Sequence, residues 1–396
     1  MPGWHDATKK LQEQGKVKMV GIIQEQHAER SRLFMQWKKM DWPILVDSLN
    51  LLGVPKMPIT LFIDENGIVR KIQPQLADLE AFLNQTFEKP AKLPHAAPQS
   101  DLDQLRAATQ EDTAQSWRSY ADSVVLWGRP TQIGEAIEAY EQALRKETNH
   151  GLTHFRLGVA YRKRYDSTER QKDDFQEAVQ HWTKALHIDP NSYIWRQRIQ
   201  LYGPRLDKPY SFYDWIRKAR EEIDARGDVP VILSVEPGGA EFAYAAKSFE
   251  STPSPKKEPD PQGRIFRDRK RFIQVETTVV PSEISAGESA RVHVVFRPNP
   301  RLKAHWNNEV DDLELWVSPP PEWGMESRNT SVPNPPQEVS KEPRKLEFEV
   351  YSPENAKGWV TVPSYALYYV CEDVDGTCLY RRQDIAVQLQ VRSAHQ

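Results

Sequence analysis

Tyr368-Tyr369-Val370-Cys371-Glu372-Asp373-Val374-Asp375-Gly376-Thr377-Cys378-Leu379-Tyr380 carries both cysteines of the 396-residue chain. Alternating apolar residues lead in, Asp375-Gly376 supplies a turn, and Ile385 to Val391 alternates outward again. The pattern predicts a β-hairpin. Cysteines on its opposite arms can face each other within disulfide range. Such a pair is a structural cross-link, two unrelated thiols, or a redox-exchange pair. Exchange requires a thiolate and an accessible sulfur. Glu372, Asp373 and Asp375 raise thiol pKa values and slow attack, while Arg381 and Arg382 partly offset them. That balance suits a partner-driven pair or an inert bridge better than a fast, autonomous catalyst.

Upstream of the hairpin the same period-two alternation recurs. Phe272–Thr277, Ala290–Phe296, Leu313–Val317, Leu346–Val350 and Gly358–Val362 each alternate, with turn residues between them. With the hairpin they give seven or more strands, enough for a β-sandwich. The Pro-rich insert from Pro319 to Pro343 is expected as a surface loop, and Ser251 to Gln262 as a linker by composition. His305 falls in a loop after the Arg291–Phe296 strand, where a histidine is ordinarily packed or solvated. Residues 270–394 resemble the immunoglobulin-like N-terminal domain of the disulfide-interchange protein DsbD and its disulfide bond corrector relatives, carried by Tyr368-x-x-Cys371 and Cys378. The resemblance implies that Cys371 and Cys378 are the exchanging, catalytic residues. It also implies that a thioredoxin-like domain is their redox partner.

The middle of the chain is helical. His154-x2-Leu157-Gly158-x2-Tyr161 precedes Ala178-x3-Trp182-x2-Ala185-x4-Pro190, and Ala136-x3-Tyr140-x2-Ala143 repeats the second spacing. Small residues at these positions let helices approach while Tyr and Trp fill the grooves. The spacing resembles tetratricopeptide repeats, with Trp117–Trp127 a degenerate first helix and Asn191–Leu201 a partial unit or cap. The resemblance implies binding of a peptide or a client protein; the alternative is an internal spacer. A further helix opens at Tyr210 and runs to about Ala225.

The N-terminal segment alternates the two periods. Val17–Ile23 is expected as a strand, Glu29–Met40 as an amphipathic helix, Pro58–Ile63 and Ile68–Ile72 as a hairpin about Asp64–Gly67, and Leu76–Phe87 as a helix. Leu52-Gly53-Val54-Pro55-Lys56-Met57-Pro58-Ile59-Thr60 with Asp64-Glu65-Asn66-Gly67 resembles the redoxin and peroxiredoxin-like branch of the thioredoxin superfamily. In that family Met57–Pro58 would be a cis peptide forming a binding edge beside the active-site thiols. The family's Cys-x-x-Cys helix start and the strand before it have no match here, so the domain is expected to lack its central strand. That strand comes either from an upstream start or from another segment, for which Val229–Val235 is the candidate.

Bulk properties narrow the field. Net charge is −3, so no basic field points to nucleic acid. Mean hydropathy is −0.69, and no apolar run approaches the ~20 residues of a membrane span. The ten histidines lack metal-ligand spacing. No phosphate loop or nucleophile elbow is present, and no cofactor is expected. The expected fold class is multidomain α/β, all-α and all-β: a partial thioredoxin-like domain over 1–90, helical repeats over 91–226, a linker over 227–267 and an immunoglobulin-like β-sandwich over 268–396. The expected function is thiol–disulfide redox chemistry without a Cys-x-x-Cys site, with a non-enzymatic adaptor as the alternative. The relatives mostly work outside the cytoplasm, yet no export signal opens the chain, so location stays open.

Overall fold

The computed structural model describes residues 2–54, 58–89, 101–204, 215–236, 257–372 and 377–392. The protein mixes helix and sheet and divides into two units: residues 1–160, 188–198 and 211–237, and residues 161–187, 199–210 and 238–396.

The first unit begins with α1 (Pro2–Glu13), β1 (Gly21–Ile23), α2 (Glu29–Lys38) and β2 (Ile44–Val46), then β3 (Leu61–Ile63), β4 (Val69–Ile72) and α3 (Asp78–Leu83). β1 pairs in parallel with β2, and β3 pairs antiparallel with β4. These are separate two-stranded sheets. The Asp64 carboxylate builds the β3–β4 turn by accepting from the Asn66 and Ile68 amides, with Gly67 at φ +79°. α1 touches β3 and the segment just before β2. Trp4 meets Phe62 edge to face at 5.8 Å, and His5 meets Trp42 in the same way at 5.8 Å. Ile22, Leu61, Ile63 and Ile72 remain exposed.

Val229–Val235 forms no strand. It runs beside α2, where the Gln36 side chain donates to the Val229 carbonyl and accepts from the Val231 amide. Ile232 is 83% exposed, so the segment does not fill the space between the small sheets. Nor do 227–236 behave as a free linker.

The helices that follow are α4 (Leu102–Ala108), α5 (Ala114–Trp127), α6 (Ile133–Lys146), α7 (Gly151–Tyr165), α8 (Asp174–Ile188), α9 (Tyr193–Gln200) and α10 (Trp215–Asp224). Thr113 caps α5 in a reciprocal capping box with Ser116. Ala136, Ala139, Tyr140 and Ala143 line the fully buried stripe of α6. The Tyr140 hydroxyl donates to Asp122, which also takes Arg156 at 2.5 Å. Arg156 in turn donates to the Leu49 carbonyl, and Arg198 to the carbonyls of Gln24 and Ser48. Leu49 is fully buried. In this unit two arginines of the helical segment are therefore committed to backbone of residues 24–49. α10 packs on α2 with Trp215 stacked on Trp37 at 5.8 Å.

The second unit holds β5 (Ile273–Val280), β6 (Glu283–Ser285), β7 (Ser289–Pro298), β8 (His305–Asn307), β9 (Leu313–Val317), β10 (Asn329–Val332), β11 (Val339–Ser340), β12 (Arg344–Tyr351), β13 (Gly358–Glu372) and β14 (Thr377–Arg392). One sheet runs β12-β7-β5. The larger runs β10-β9-β13-β14-β6, with β8 joining β13 to β11. Alternate residues of both sheets, including Val292, Val294, Phe296, Trp306, Phe348, Tyr368, Val370, Val387 and Leu389, share one buried core. The stretch 319–343 is not a plain loop, because β10 and β11 lie within it as edge strands. Edge strands tolerate neighbouring prolines, whose missing N–H would point to solvent. Residues 258–267, within the expected linker 227–267, and Asp268 after them are pinned to the large sheet. Asp260 accepts from the Arg264 and Ile265 amides and pairs with Arg382 at 2.9 Å, and Asp268 N donates to the Arg382 carbonyl.

Helical residues of this unit cover the smaller sheet. Gln176 accepts from the Val279 amide, Arg170 pairs with Glu276 at 2.7 Å, and the His293 ring sits 2.7 Å from the Tyr202 carbonyl. Glu347 holds the other His293 nitrogen at 3.0 Å. Burial pushes the Glu347 carboxyl up, but the His293 bond and the charges of His293, Arg291 and Lys345 outweigh it and bring it down to about 2. A depressed carboxyl contributes stability that is whole above its ordinary pKa and is lost as pH falls toward the folded value. Acid unfolding of wild type should therefore show a Glu347 contribution fading between about pH 4.5 and 2. Glu347→Gln should flatten that part of a urea-midpoint profile and leave the profile near neutral pH with the same slope.

Candidate redox site at the end of the β13–β14 ladder

The ladder pairs Gly358 with Val391 and continues rung by rung to Cys371 with Cys378 and Glu372 with Thr377. The hairpin expected from sequence is thus present; its turn, 373–376, lies outside the described residues. The two cysteines form a disulfide with Cα atoms 4.0 Å apart. That separation belongs to the narrow antiparallel pair, in which facing residues do not exchange backbone hydrogen bonds. The backbone groups of Cys371 accordingly point the other way, toward β8, where Cys371 pairs with His305. One rung therefore carries His305, Cys371 and Cys378 on adjacent strands.

Period two sorts the faces. Trp306, Tyr368 and Val370 point into the core, so Tyr365, Leu367, Tyr369, Cys371 and His305 occupy the outer face. Along it Tyr365, Trp316 and Leu367 form a small buried cluster, and Tyr369 stacks on Tyr380 at 4.4 Å two rungs before the disulfide. Burial, then the neighbouring Tyr369 and several carboxylates, push the Tyr380 phenol up to about 12, so it stays protonated at physiological pH. The two sulfurs differ in access. Cys371 is 2% exposed and Cys378 lies in the exposed class.

The charges expected to balance one another are partly committed elsewhere. Glu372 lies 3.7 Å from Lys270. Arg382 is held by Asp260 and Asp384 and sits 3.7 Å over the Tyr365 ring, four rungs from the disulfide. Asp373 and Asp375 lie outside the described residues.

Met57 also lies outside them, so the expected cis Met57–Pro58 peptide is not described. Pro58 belongs to the first unit, its carbonyl accepting from Gln73 at 2.8 Å, whereas Cys371 and Cys378 belong to the second. His305, expected in a loop after the Arg291–Phe296 strand, lies instead in strand β8 beside Cys371. Strand β8 is three residues long and distant in sequence from Cys371, so neither periodicity nor spacing could have marked it.

Among the described residues no group of His, Cys, Asp or Glu could hold a metal ion, and no helix is long and apolar enough to cross a membrane. No family model matches the chain. No curated protein matches it either. Solved structures with local likeness include the sporulation control protein Spo0M of Bacillus subtilis, at 12% identity and a TM-score of 0.16 over 31% of this chain and 49% of that one. The chain thus spans about half of that protein's length. AvmM, which catalyses macrocyclization in alchivemycin A biosynthesis, matches at 12% identity and a TM-score of 0.19 over 32% of this chain and 91% of its own. A PapD-like domain of human CEP192 matches at 9% and 0.17 over 38% and 97%. Likeness at this level assigns neither fold family nor activity.

Proposed function

We propose that this protein is a thiol–disulfide exchange protein whose reactive pair is Cys371–Cys378. The observation that carries the reading is asymmetric access within one disulfide: Cys378 is exposed and Cys371 is 2% exposed. Exchange needs one sulfur open to an incoming thiolate and one that can leave. Under this reading the sheets of the second unit are a DsbD-like domain, and the partner is a thioredoxin-like dithiol. The first segment is thioredoxin-like without cysteines of its own and contributes at most a docking surface. The separation of β1 and β3 into different two-stranded sheets is what such a domain lacking its central strand would give.

The helices are read as tetratricopeptide-like repeats. Because Arg156 and Arg198 already hold backbone of residues 24–49, we assign these two residues to internal docking, not to recruitment of a client peptide. The alternative is an adaptor in which the disulfide only staples a hairpin. The burial of Cys371 favours that reading, and a closed loop of this size can contribute about 2–3 kcal/mol. The redundancy of the bond argues the other way, since the long β13–β14 ladder and its core face already fix the register. Equilibrating the whole protein with a thiol redox buffer separates the two readings.

A further inference from the structure

We propose that His305 is the positioning residue for the departing sulfur, supplying positive charge and a proton to Cys371 as the disulfide opens. This rests on the exchange reading above and specifies how the site works. In the antiparallel β8–β13 pairing Cys371 lies directly opposite His305, and directly opposed residues share a face with Cβ atoms about 5 Å apart. Cys378 occupies the same rung on the other side of Cys371. The strand that carries the buried sulfur thus lies between the strand of its disulfide partner and the strand of the imidazole. β8 is held firmly in that register: Trp306 is fully buried, donates its indole N–H to the Glu342 carbonyl, and has Arg344 stacked on it at 4.3 Å. His305 itself is half-buried, so it reaches solvent for a proton.

The step balances as a two-electron exchange. A thiolate of a dithiol attacks Sγ of Cys378 and forms a mixed disulfide. The Cys371–Cys378 bond breaks, and its electron pair goes to Sγ of Cys371. Imidazolium at His305 stabilises that thiolate and donates a proton to it, then regains one from water. The second thiol of the dithiol attacks its own sulfur in the mixed disulfide and releases Cys378, so the protein is reduced and the dithiol oxidised. Glu372, on the next rung, is paired with Lys270 at 3.7 Å.

The test is the rate of reduction of the full chain by dithiothreitol across about pH 5.5 to 8.5, for wild type, His305→Gln and His305→Lys. Dividing each variant's rate by wild type cancels the ionisation of dithiothreitol itself. His305→Gln should be slower by about tenfold at the acid end, with the gap narrowing as pH rises. His305→Lys, permanently charged over this range, should recover the acid-end rate and show no such closing. Equal profiles for wild type and His305→Gln would overturn the role of His305 while leaving exchange intact. A folded wild-type disulfide that resists dithiothreitol at every pH would overturn the exchange reading and this role with it.

Discussion

With Cys371 replaced by alanine, Cys378 should be alkylated by iodoacetamide at least about a hundredfold faster than Cys371 is in the Cys378→Ala chain. The expected difference is one of access. Cys378 lies in the exposed class on β14, while Cys371 is 2% exposed between β14 and β8. A buried thiol reacts only when its surroundings open, and the free energy of that local opening multiplies the rate downward. Mass spectrometry of peptides after timed alkylation reads both rates. In denaturant the two should converge, which separates access from intrinsic reactivity. Similar rates in the folded variants would remove the asymmetry on which the proposed direction of attack depends.

Trp306→Ala should be the most damaging single change near the site, lowering the stability of the second unit by about 3–5 kcal/mol. The side chain is fully buried, meets Tyr368 edge to face at 5.8 Å, and satisfies its indole N–H on the Glu342 carbonyl. Alanine loses the buried area, leaves a cavity and orphans that carbonyl. Trp306→Phe keeps most of the volume and should cost clearly less. Urea unfolding followed by tryptophan-independent far-UV signal measures both. Because Trp306 anchors the strand that carries His305, the alanine variant should also speed hydrogen exchange of the β8 amides more than those of β7.

The parts of the fold legible in sequence are those whose information is local. The β13–β14 hairpin announces itself through strict alternation and an Asp375-Gly376 turn, which set the two cysteines on facing arms. Helices α6 and α8 are equally plain, since small residues recur at helical spacing within each. What sequence hid is set by tertiary pairing. β8 and β11 are strands only because β13 offers β8 a partner and β8 offers one to β11. Residues 258–267 fall within the expected linker, yet Asp260 and the adjoining Asp268 find buried partners on the large sheet. Val17–Ile23 shrinks to Gly21–Ile23 because β2 pairs with only those three residues. Val229–Val235 has strand-like composition, but its backbone is taken by the Gln36 side chain. The site was half legible for the same reason: the cysteines are neighbours in the chain, and the histidine is a neighbour only in the sheet.

Everything proposed for this protein turns on whether the sulfur pair opens reversibly while the surrounding sheet stays folded. Equilibration against glutathione or dithiothreitol buffers of known potential, with the thiol state counted by alkylation, answers that directly. The account predicts a potential above roughly −300 mV, with circular dichroism unchanged across the transition. A potential well below that value, or loss of sheet signal as the bond is reduced, would mark Cys371–Cys378 as a structural staple and contradict the account.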